Sequence, residues 1–165
     1  MEHAQAGFTW TIDVIKDGVV VDSETQHNLI PVEGINYLIS AGLKGGSPLT
    51  SWYIAPFSGT YTPVPTDTAA TFPTAATELT TYAETARQAL VLGTVAAGQA
   101  DNSASTAVFT SNANGVTVKG GFITSAATKG AATGTLISAV QFSSPKAFDS
   151  GTILRITAGF AITSS

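Results

Sequence analysis

The clearest alternation of apolar and polar residues lies near the start of the chain. Residues 8–15, with the sequence FTWTIDVI, alternate with a period of two, which predicts a half-buried strand. A second apolar run, VVV, begins three residues after Lys16, and Asp17-Gly18 separates the two runs. Because a two-residue type I′ turn needs positive φ at both central positions, Asp-Gly predicts a β-hairpin of residues 8–15 and 19–25.

The period changes over residues 31–43. There the apolar positions fall on one face of a helix, and they are Val32, Ile35, Leu38 and Ile39. Pro31 suits the first helical turn, and Glu33 complements the positive end of the helix dipole. This segment predicts one short helix that packs against a sheet.

The remainder of the chain predicts further strands separated by turn residues. Residues 78–86 are left open between a helical turn and an extended segment. The predicted strands are 51–57, 87–95, 107–110 with 116–125, 134–142 and 152–162, and the turns include Asp101-Asn102-Ser103 and Asp149-Ser150-Gly151. This spacing predicts a mainly β fold, an all-β sandwich or barrel that includes the N-terminal β-hairpin and one short helix. We expect a single β-rich domain over residues 1–165, although residues 58–77 could separate an N-terminal lobe from a C-terminal sandwich.

Residues 58–77 form an extended loop or arm rich in Pro, Thr and Ala. Its prolines exclude regular structure, and a structureless loop of this length is uncommon unless it has a function. One interpretation is a surface excursion on its own domain, and the other is an arm that reaches a neighbouring subunit. Under the second interpretation the candidate subunit-interface residues are Tyr61, Pro63, Pro65, Phe72 and Pro73, because aromatic side chains commonly anchor interfaces.

Composition narrows the function classes. Only 11% of residues are charged, against about 25% in an ordinary soluble domain. A net charge of −4 with seven Lys and Arg residues argues against nucleic acid as a partner. No window approaches 18 apolar residues and no basic leader is visible at residues 1–10, so we expect neither a membrane nor a secretory route. The absence of cysteine excludes disulfides and thiol catalysis.

Reactive groups are sparse, and we expect no enzyme, no cofactor and no catalytic or metal-binding residue. The two histidines are His3, near the terminus, and His27, at the end of the second strand, and no hydrolase or phosphate-loop motif is present. Asp67 and Asp101-Asn102 are isolated oxygen donors without the spacing of a calcium loop.

Two further groups have structural and functional interpretations. Glu84 and Arg87 are close enough in sequence for a local ion pair. Four aromatic residues are candidates for a sugar-binding platform or for core packing, and they are Trp52, Tyr53, Phe57 and Tyr61.

Several strand patterns together resemble a known class of proteins. They are AVFTSNANGVTVKGGFITS at 107–125, the Phe-containing strand at 134–142, GTILRIT at 151–157, WYIA at 52–55, and Tyr82 followed five residues later by Arg87. In this pattern the chain resembles small virion proteins of tailed bacteriophages, which often serve as capsid cement or decoration proteins. The resemblance covers about two-thirds of the chain and rests on strand patterns rather than on reactive groups.

The resemblance implies an antiparallel β-sandwich (jelly-roll-like). It also implies a non-enzymatic structural protein on the capsid surface of a virion, made in the host bacterial cytoplasm. Its expected partners are the major capsid protein and copies of itself. The alternative is a tail- or fibre-associated module for receptor binding or adhesion, which has a similar β-rich, Thr- and Gly-rich composition.

Overall fold

The computed structural model describes residues 4–164 of the chain, which form two antiparallel sheets with two helices. The mainly β sandwich with an N-terminal hairpin is therefore confirmed. In chain order the elements are β1 (Ala4–Lys16), β2 (Val19–His27), α1 (Val32–Leu43), β3 (Tyr53–Phe57), α2 (Phe72–Ala75), β4 (Gln88–Ala89), β5 (Gln99–Asp101), β6 (Ala107–Thr110), β7 (Thr117–Thr124), β8 (Leu136–Ala147) and β9 (Thr152–Ser164).

The long pairing of β1 with β9 is the centre of the first sheet, here called sheet A. Strand β2 lies on the outer side of β1, and both β5 and β6 pair with the other side of β9. The second sheet, sheet B, has the order β4-β3-β7-β8. The first and last strands are thus neighbours, so the two ends of the described chain lie side by side.

Sheet A buries one face only. Its inward side chains come from alternate positions of β1, β6 and β9 and form the core between the sheets, with Trp10, Ile12, Phe109 and Ile156 fully buried. Intervening residues such as Thr9 remain on the outer face and contact solvent. This arrangement follows directly from the period of two in the sequence.

Sheet B is buried on both faces. Two adjacent glycines in the middle of β7 show this directly. A Cβ at Gly120 would overlap the ring of Phe57, and a Cβ at Gly121 would lie 2.8 Å from the ring of Trp10. The two rings approach from opposite faces because successive strand residues point in opposite directions. An apolar layer is therefore required outside sheet B as well as between the sheets.

The predicted hairpin turn is confirmed by its backbone angles. Asp17 has φ 51° and Gly18 has φ 77°, so both central residues lie in the left-handed region that a type I′ turn requires. The two strands extend further than the predicted 8–15 and 19–25.

The predicted helix is also present, and it contacts β8 at a glycine. A Cβ at Gly34 would lie 2.9 Å from the backbone of Ile137, so only glycine allows this approach. The Glu33 side chain accepts hydrogen bonds from the amides of Ala69 (2.8 Å) and Leu136 (2.7 Å). Glu33 therefore joins α1 to β8 and to the segment that contains Ala69, in addition to its expected interaction with the helix dipole.

Some predicted boundaries were wrong. The expected strand 87–95 is regular only at β4, and the segment 78–86 is extended rather than helical, with a bridge between Tyr82 and Ser111. The turn predicted at Asp101-Asn102-Ser103 is present directly after β5, where the Ser105 amide donates to Asn102 O and the Ser103 amide donates to the Asp101 carboxylate, each over 2.9 Å. Asn102 is fully buried and bonds the backbone of β9 through both amide atoms, to Ile156 O and Ala158 N. That side-chain anchor offsets the weak strand propensity of β5.

A buried lysine links the edge strands β2 and β8 of the two sheets. The ammonium of Lys146, whose side chain is 1% exposed, lies 2.6 Å from Glu24 and 2.9 Å from Asp22. Ser143 donates two further hydrogen bonds to Glu24 from its amide and its hydroxyl. Burial alone would lower the pKa of Lys146, but the hydrogen bonds to Glu24 and Asp22 outweigh it and raise the pKa. Burial likewise opposes the lowered pKa of Glu24, which the Lys146 and Ser143 hydrogen bonds produce.

Replacing Gly18 with Val should destabilise the fold by about 1–3 kcal/mol, the usual scale of backbone strain. No atom lies within 4 Å of an added Cβ there, so the effect comes from the positive φ alone. Thermal unfolding measures the loss, and Gly18→Asn is the matched control because Asn tolerates this conformation. Equal melting temperatures for Gly18→Val and the unmodified protein would contradict the turn assignment.

Replacing Lys146 with Met should lower the free energy of unfolding at pH 7 by about 3 kcal/mol, since Glu24 then keeps a half-enclosed charge without its partner. The deficit should shrink as the pH falls below 4.5, the ordinary value for this carboxyl group. Folding lowers the pKa of Glu24, so its ion pair stabilises the unmodified protein above that value and is lost in acid.

Lys119→Met is the control for this measurement, because Lys119 makes only an exposed hydrogen bond to Thr60. We expect that control to change stability by no more than about 0.5 kcal/mol. A Lys146→Met protein as stable at pH 7 as the unmodified protein would show that the link between β2 and β8 contributes nothing.

Candidate interaction surface

Residues 58–77 form the layer that covers the outer face of sheet B. Phe72 is fully buried there, with its ring centre 5.2 Å from that of Phe122 in β7 and 5.7 Å from that of Phe57 in β3. The second apolar cluster of the protein lies around it and consists of Ala55, Phe57, Ala69, Phe72, Ala76, Phe122, Leu136 and Ala139, with Tyr61 at its margin. The covering segment, as we call residues 58–77, therefore packs on its own chain.

The ends of the covering segment are joined by backbone hydrogen bonds. The Ser58 amide donates to Thr77 O and the Gly59 amide to Ala76 O, each over 2.9 Å. Between them lies the one-turn helix α2, with Pro73 in its first turn, where a missing amide proton costs nothing. The expectation that proline excludes regular structure here was therefore too strict.

Asp67 organises the first half of the covering segment. Its carboxylate accepts hydrogen bonds from the Tyr61 hydroxyl at 2.6 Å and from the Val64 amide at 2.7 Å. The bond to Asp67, followed by burial and the negative charge, raises the pKa of Tyr61 to about 12. The phenol therefore remains a donor throughout the neutral range. The Val32 amide bonds Pro65 O, which ties this half to the start of α1.

The five candidate interface residues lie in different surroundings. Phe72 and Pro73 are buried inside the chain, so in this conformation they have no surface to offer a partner. Tyr61 packs edge-on against Phe72, with ring centres 5.5 Å apart, and is only partly accessible. Pro65 is exposed and Pro63 is half-exposed. A subunit contact through this segment stays a prediction, and Tyr61, Pro63 and Pro65 are the candidates that keep accessible surface.

The aromatic group at 52–61 does not form a flat platform. Phe57 is fully buried, and Trp52 packs edge-on against Tyr37 of α1 with ring centres 5.1 Å apart. Tyr61 contacts Phe72 on the other side of sheet B. These side chains are engaged in core packing at separate places, which is the second of the two interpretations offered for them.

The expected ion pair between Glu84 and Arg87 is wrong. Arg87 instead binds Glu78 through two hydrogen bonds of 2.9 and 2.6 Å, and both side chains are almost completely buried. Two further N–H groups of Arg87 donate to Ala126 O and Ala131 O. Glu84 accepts from the Thr110 amide. Arg87 therefore links the segment that contains Glu78 to the loop that contains Ala126 and Ala131. These hydrogen bonds indicate a structural role.

The other candidate catalytic or metal-binding side chains already have hydrogen-bond partners within the chain or lie apart from one another. His27 is exposed and lies 3.3 Å from the Thr9 hydroxyl, while His3 falls outside the described residues. Asp101 accepts from the Ser103 amide, and Asp67 and Asn102 have the partners given above. Over residues 4–164 there is no group of three or more histidine, aspartate or glutamate side chains that could hold a metal ion.

An apolar groove lies at one end of the sandwich, between α1 and the ends of β1 and β9. Its volume is about 740 Å³. Its apolar walls include Ala6, Leu29, Ile35, Ile39, Leu43 and Ile162. Periodicity predicted the apolar face of α1, but the sequence did not show that three of its four residues, Val32, Ile35 and Ile39, would remain exposed.

The single polar side chain that lines the groove is already satisfied. Asn28 donates to Leu29 O and Ser138 Oγ and accepts from the Phe8 amide. A smaller cavity of about 210 Å³ on the other side of α1 shares Leu38 and Phe160 with the groove and continues the apolar surface to Leu92.

Comparison with known proteins finds no detectable relative of this chain. No family model matches the chain, and neither a curated protein nor a solved structure is detectably similar to it. In the part of the chain that is described, neither helix has the length and apolar character of a membrane-spanning segment.

Replacing Phe72 with Ala should lower the free energy of unfolding by about 3–5 kcal/mol, because it empties the centre of the outer apolar cluster. Val64→Ala is the control in the same segment, at a side chain 40% exposed, and should change stability by about 0.5 kcal/mol or less. Chemical denaturation compares the two variants. If the Phe72→Ala protein is as stable as the Val64→Ala protein, contacts other than those of Phe72 hold the covering segment on sheet B.

Proposed function

We propose that this protein is a non-enzymatic structural component of a tailed-bacteriophage virion, of the capsid cement or decoration type. It binds the major capsid protein and copies of itself at the capsid surface and stabilises contacts between capsid subunits. The proposal rests on the strand pattern that resembles small virion proteins and on a fold suited to that role.

The segments that carry the resemblance lie in strands of both sheets. VFT lies in β6, GGFIT in β7 and TILRIT in β9, and β8 supplies the Phe-containing strand. Their apolar residues fill the core between the sheets, as Phe109, Ile123 and Leu154 do. The resemblance is therefore one of core architecture, and it supports the proposal through the fold.

The surface left by this fold favours binding to a large, fixed partner. Most exposed side chains are short, so few rotamers are lost when a surface of this kind is ordered against a capsid. The loops are held by buried groups such as Arg87 and Asn102. A rigid surface of small side chains can add contact area at a junction between subunits at low entropic cost.

The same features give little support to catalysis. In the described residues the one histidine, His27, has a hydroxyl 3.3 Å away and no carboxylate bonded to its ring. A nucleophile, a base and an orienting group are not brought together there, which acyl or phosphoryl transfer by side chains would need.

The direct test is to locate the protein on purified particles of a phage that encodes it. We expect the chain to be recovered in the particles in copy numbers comparable to the major capsid protein, and cryo-electron microscopy should show it at the capsid surface. Recovery in a few copies at the tail would favour the adhesion module. Absence from the particles would overturn the proposal in both forms.

A binding assay identifies the surface used. Particles stripped of the protein should recover it from solution, and Pro65→Asp should weaken this recovery if the exposed part of the covering segment contacts the capsid. Val21→Asp, at an exposed position of the hairpin, is the matched control. If the stripped particles recover the two variants equally, the covering segment does not contact the capsid.

A further inference from the structure

The apolar groove beside α1 has the features of a protein contact and lacks those of a small-ligand site. Ligand pockets combine apolar walls with a few free polar groups that orient the ligand. Here Asn28 is the polar lining side chain, and both of its donor protons and its oxygen are already used within the chain. No polar side chain that lines the groove in the described part of the chain is therefore left free to orient a polar ligand.

The most exposed apolar side chains at the groove point outward. Ile35, Ile39 and Leu43 follow one another at intervals of four residues and are 43%, 51% and 87% exposed. They form a ridge along α1, and Ile162 on the opposite wall is 54% exposed. Such a ridge beside a groove is the arrangement by which two helices pack.

The size of this apolar surface matches the core of a stable dimer contact. With Leu92 beyond the smaller cavity, these side chains expose on the order of 500 Å², the size at which a patch on a soluble monomer marks an interaction site. A standard contact needs about 800 Å² from each partner, including a polar rim. The apolar patch, together with the residues immediately around it, therefore provides enough area for a stable dimer contact.

The charge at this surface favours a second copy of the chain. No charged residue lines the groove in the described part of the chain, so a copy can meet it without like-charge repulsion. Lys44 directly follows α1 at the rim. If the two α1 helices run antiparallel about an axis near Ile39, the two Lys44 side chains lie at opposite ends of the contact.

We propose that this protein forms a two-fold dimer in which the α1 ridge of each copy packs into the apolar groove of the other. Leu43 of each copy then faces Ile35 of the partner copy, and Ile39 lies next to its own counterpart. A two-fold contact of this kind is isologous and closes on itself. This dimer deepens the proposed function, because it assigns the surface through which copies of the chain associate. It can be tested without the virion.

Sedimentation velocity over a micromolar concentration range tests the dimer. The unmodified protein should sediment with twice the mass of the chain. Leu43→Asp should raise the dimer dissociation constant by about 100-fold or more, because it places an unpaired carboxylate in an apolar contact. Val21→Asp, at a hairpin position 59% exposed, is the matched control and should leave the dimer intact. Since Leu43 is 87% exposed, its replacement should leave the thermal unfolding of the monomer unchanged.

Cysteine crosslinking tests the geometry, and the chain contains no cysteine of its own. Ile39→Cys should form a disulfide-linked dimer under mild oxidation. A mixture of Ile35→Cys and Leu43→Cys proteins should crosslink to each other faster than either does to itself. Val21→Cys should remain monomeric on denaturing gels.

Three results would overturn the inference. They are a monomer throughout the concentration range, an oligomer that survives Leu43→Asp, and a dimer crosslinked by Val21→Cys but not by Ile39→Cys. A monomer that binds the apolar dye nile red at one site would assign the groove to a small apolar ligand instead. None of these results bears on whether the protein is found on phage particles, so the two proposals fail separately.

Discussion

The structure depends on the burial of sheet B on both of its faces. The face toward sheet A is covered by the alternating side chains of β1 and β9, but the other face, with Phe57 and Phe122, would be open without residues 58–77. Burying a large aromatic side chain contributes roughly 1.5–3 kcal/mol relative to leaving it in water. The covering segment is therefore a third layer of the protein. Its ends meet at β3, and Glu33 fixes its middle to α1 and β8.

The few charges of the chain are placed where they hold separate elements together. Arg87 and Glu78 are buried as a pair between two loops, and Lys146 with Glu24 joins the edges of the two sheets. Because isolated buried charges are costly, each has its partners and further hydrogen bonds within reach. The outward faces are then left mostly with short side chains, together with exposed apolar groups at α1 and at the start of β2, where Val19, Val20 and Val21 are 62%, 45% and 59% exposed. This distribution supports the proposed contacts with a large partner and with a second copy of the chain.

The sequence predicted those elements whose signals are local. The hairpin turn at Asp17-Gly18, the helix period after Pro31 and the alternation of β1 need only neighbouring residues, and they were found within a few positions. The partner of Arg87 was missed because the nearer Glu84 was preferred to Glu78, and sequence distance does not decide which carboxylate shares a buried site.

The destination of residues 58–77 was left open, yet one signal for it was present. The runs YIAPF, GGFIT and LISAV are nearly continuously apolar, which is typical of strands buried on both faces. Such strands need a cover on each side, and the Pro-rich segment with Phe72 was the part of the chain free to supply it. The open groove at α1 had no such signal, because periodicity identifies an apolar face without showing how much of it the rest of the chain covers.

Residue-resolved hydrogen exchange of the native protein tests most directly whether the covering segment is an integral layer. The amides of Ala69, Phe72 and Ala76 donate to Glu33, Thr68 and Phe72, respectively. If the layer is integral, they should exchange only through global unfolding, at rates matching the amide of Phe122 in β7. Fast exchange at these three amides beside a protected Phe122 would show a loop that opens independently of the sheet, and would contradict the account.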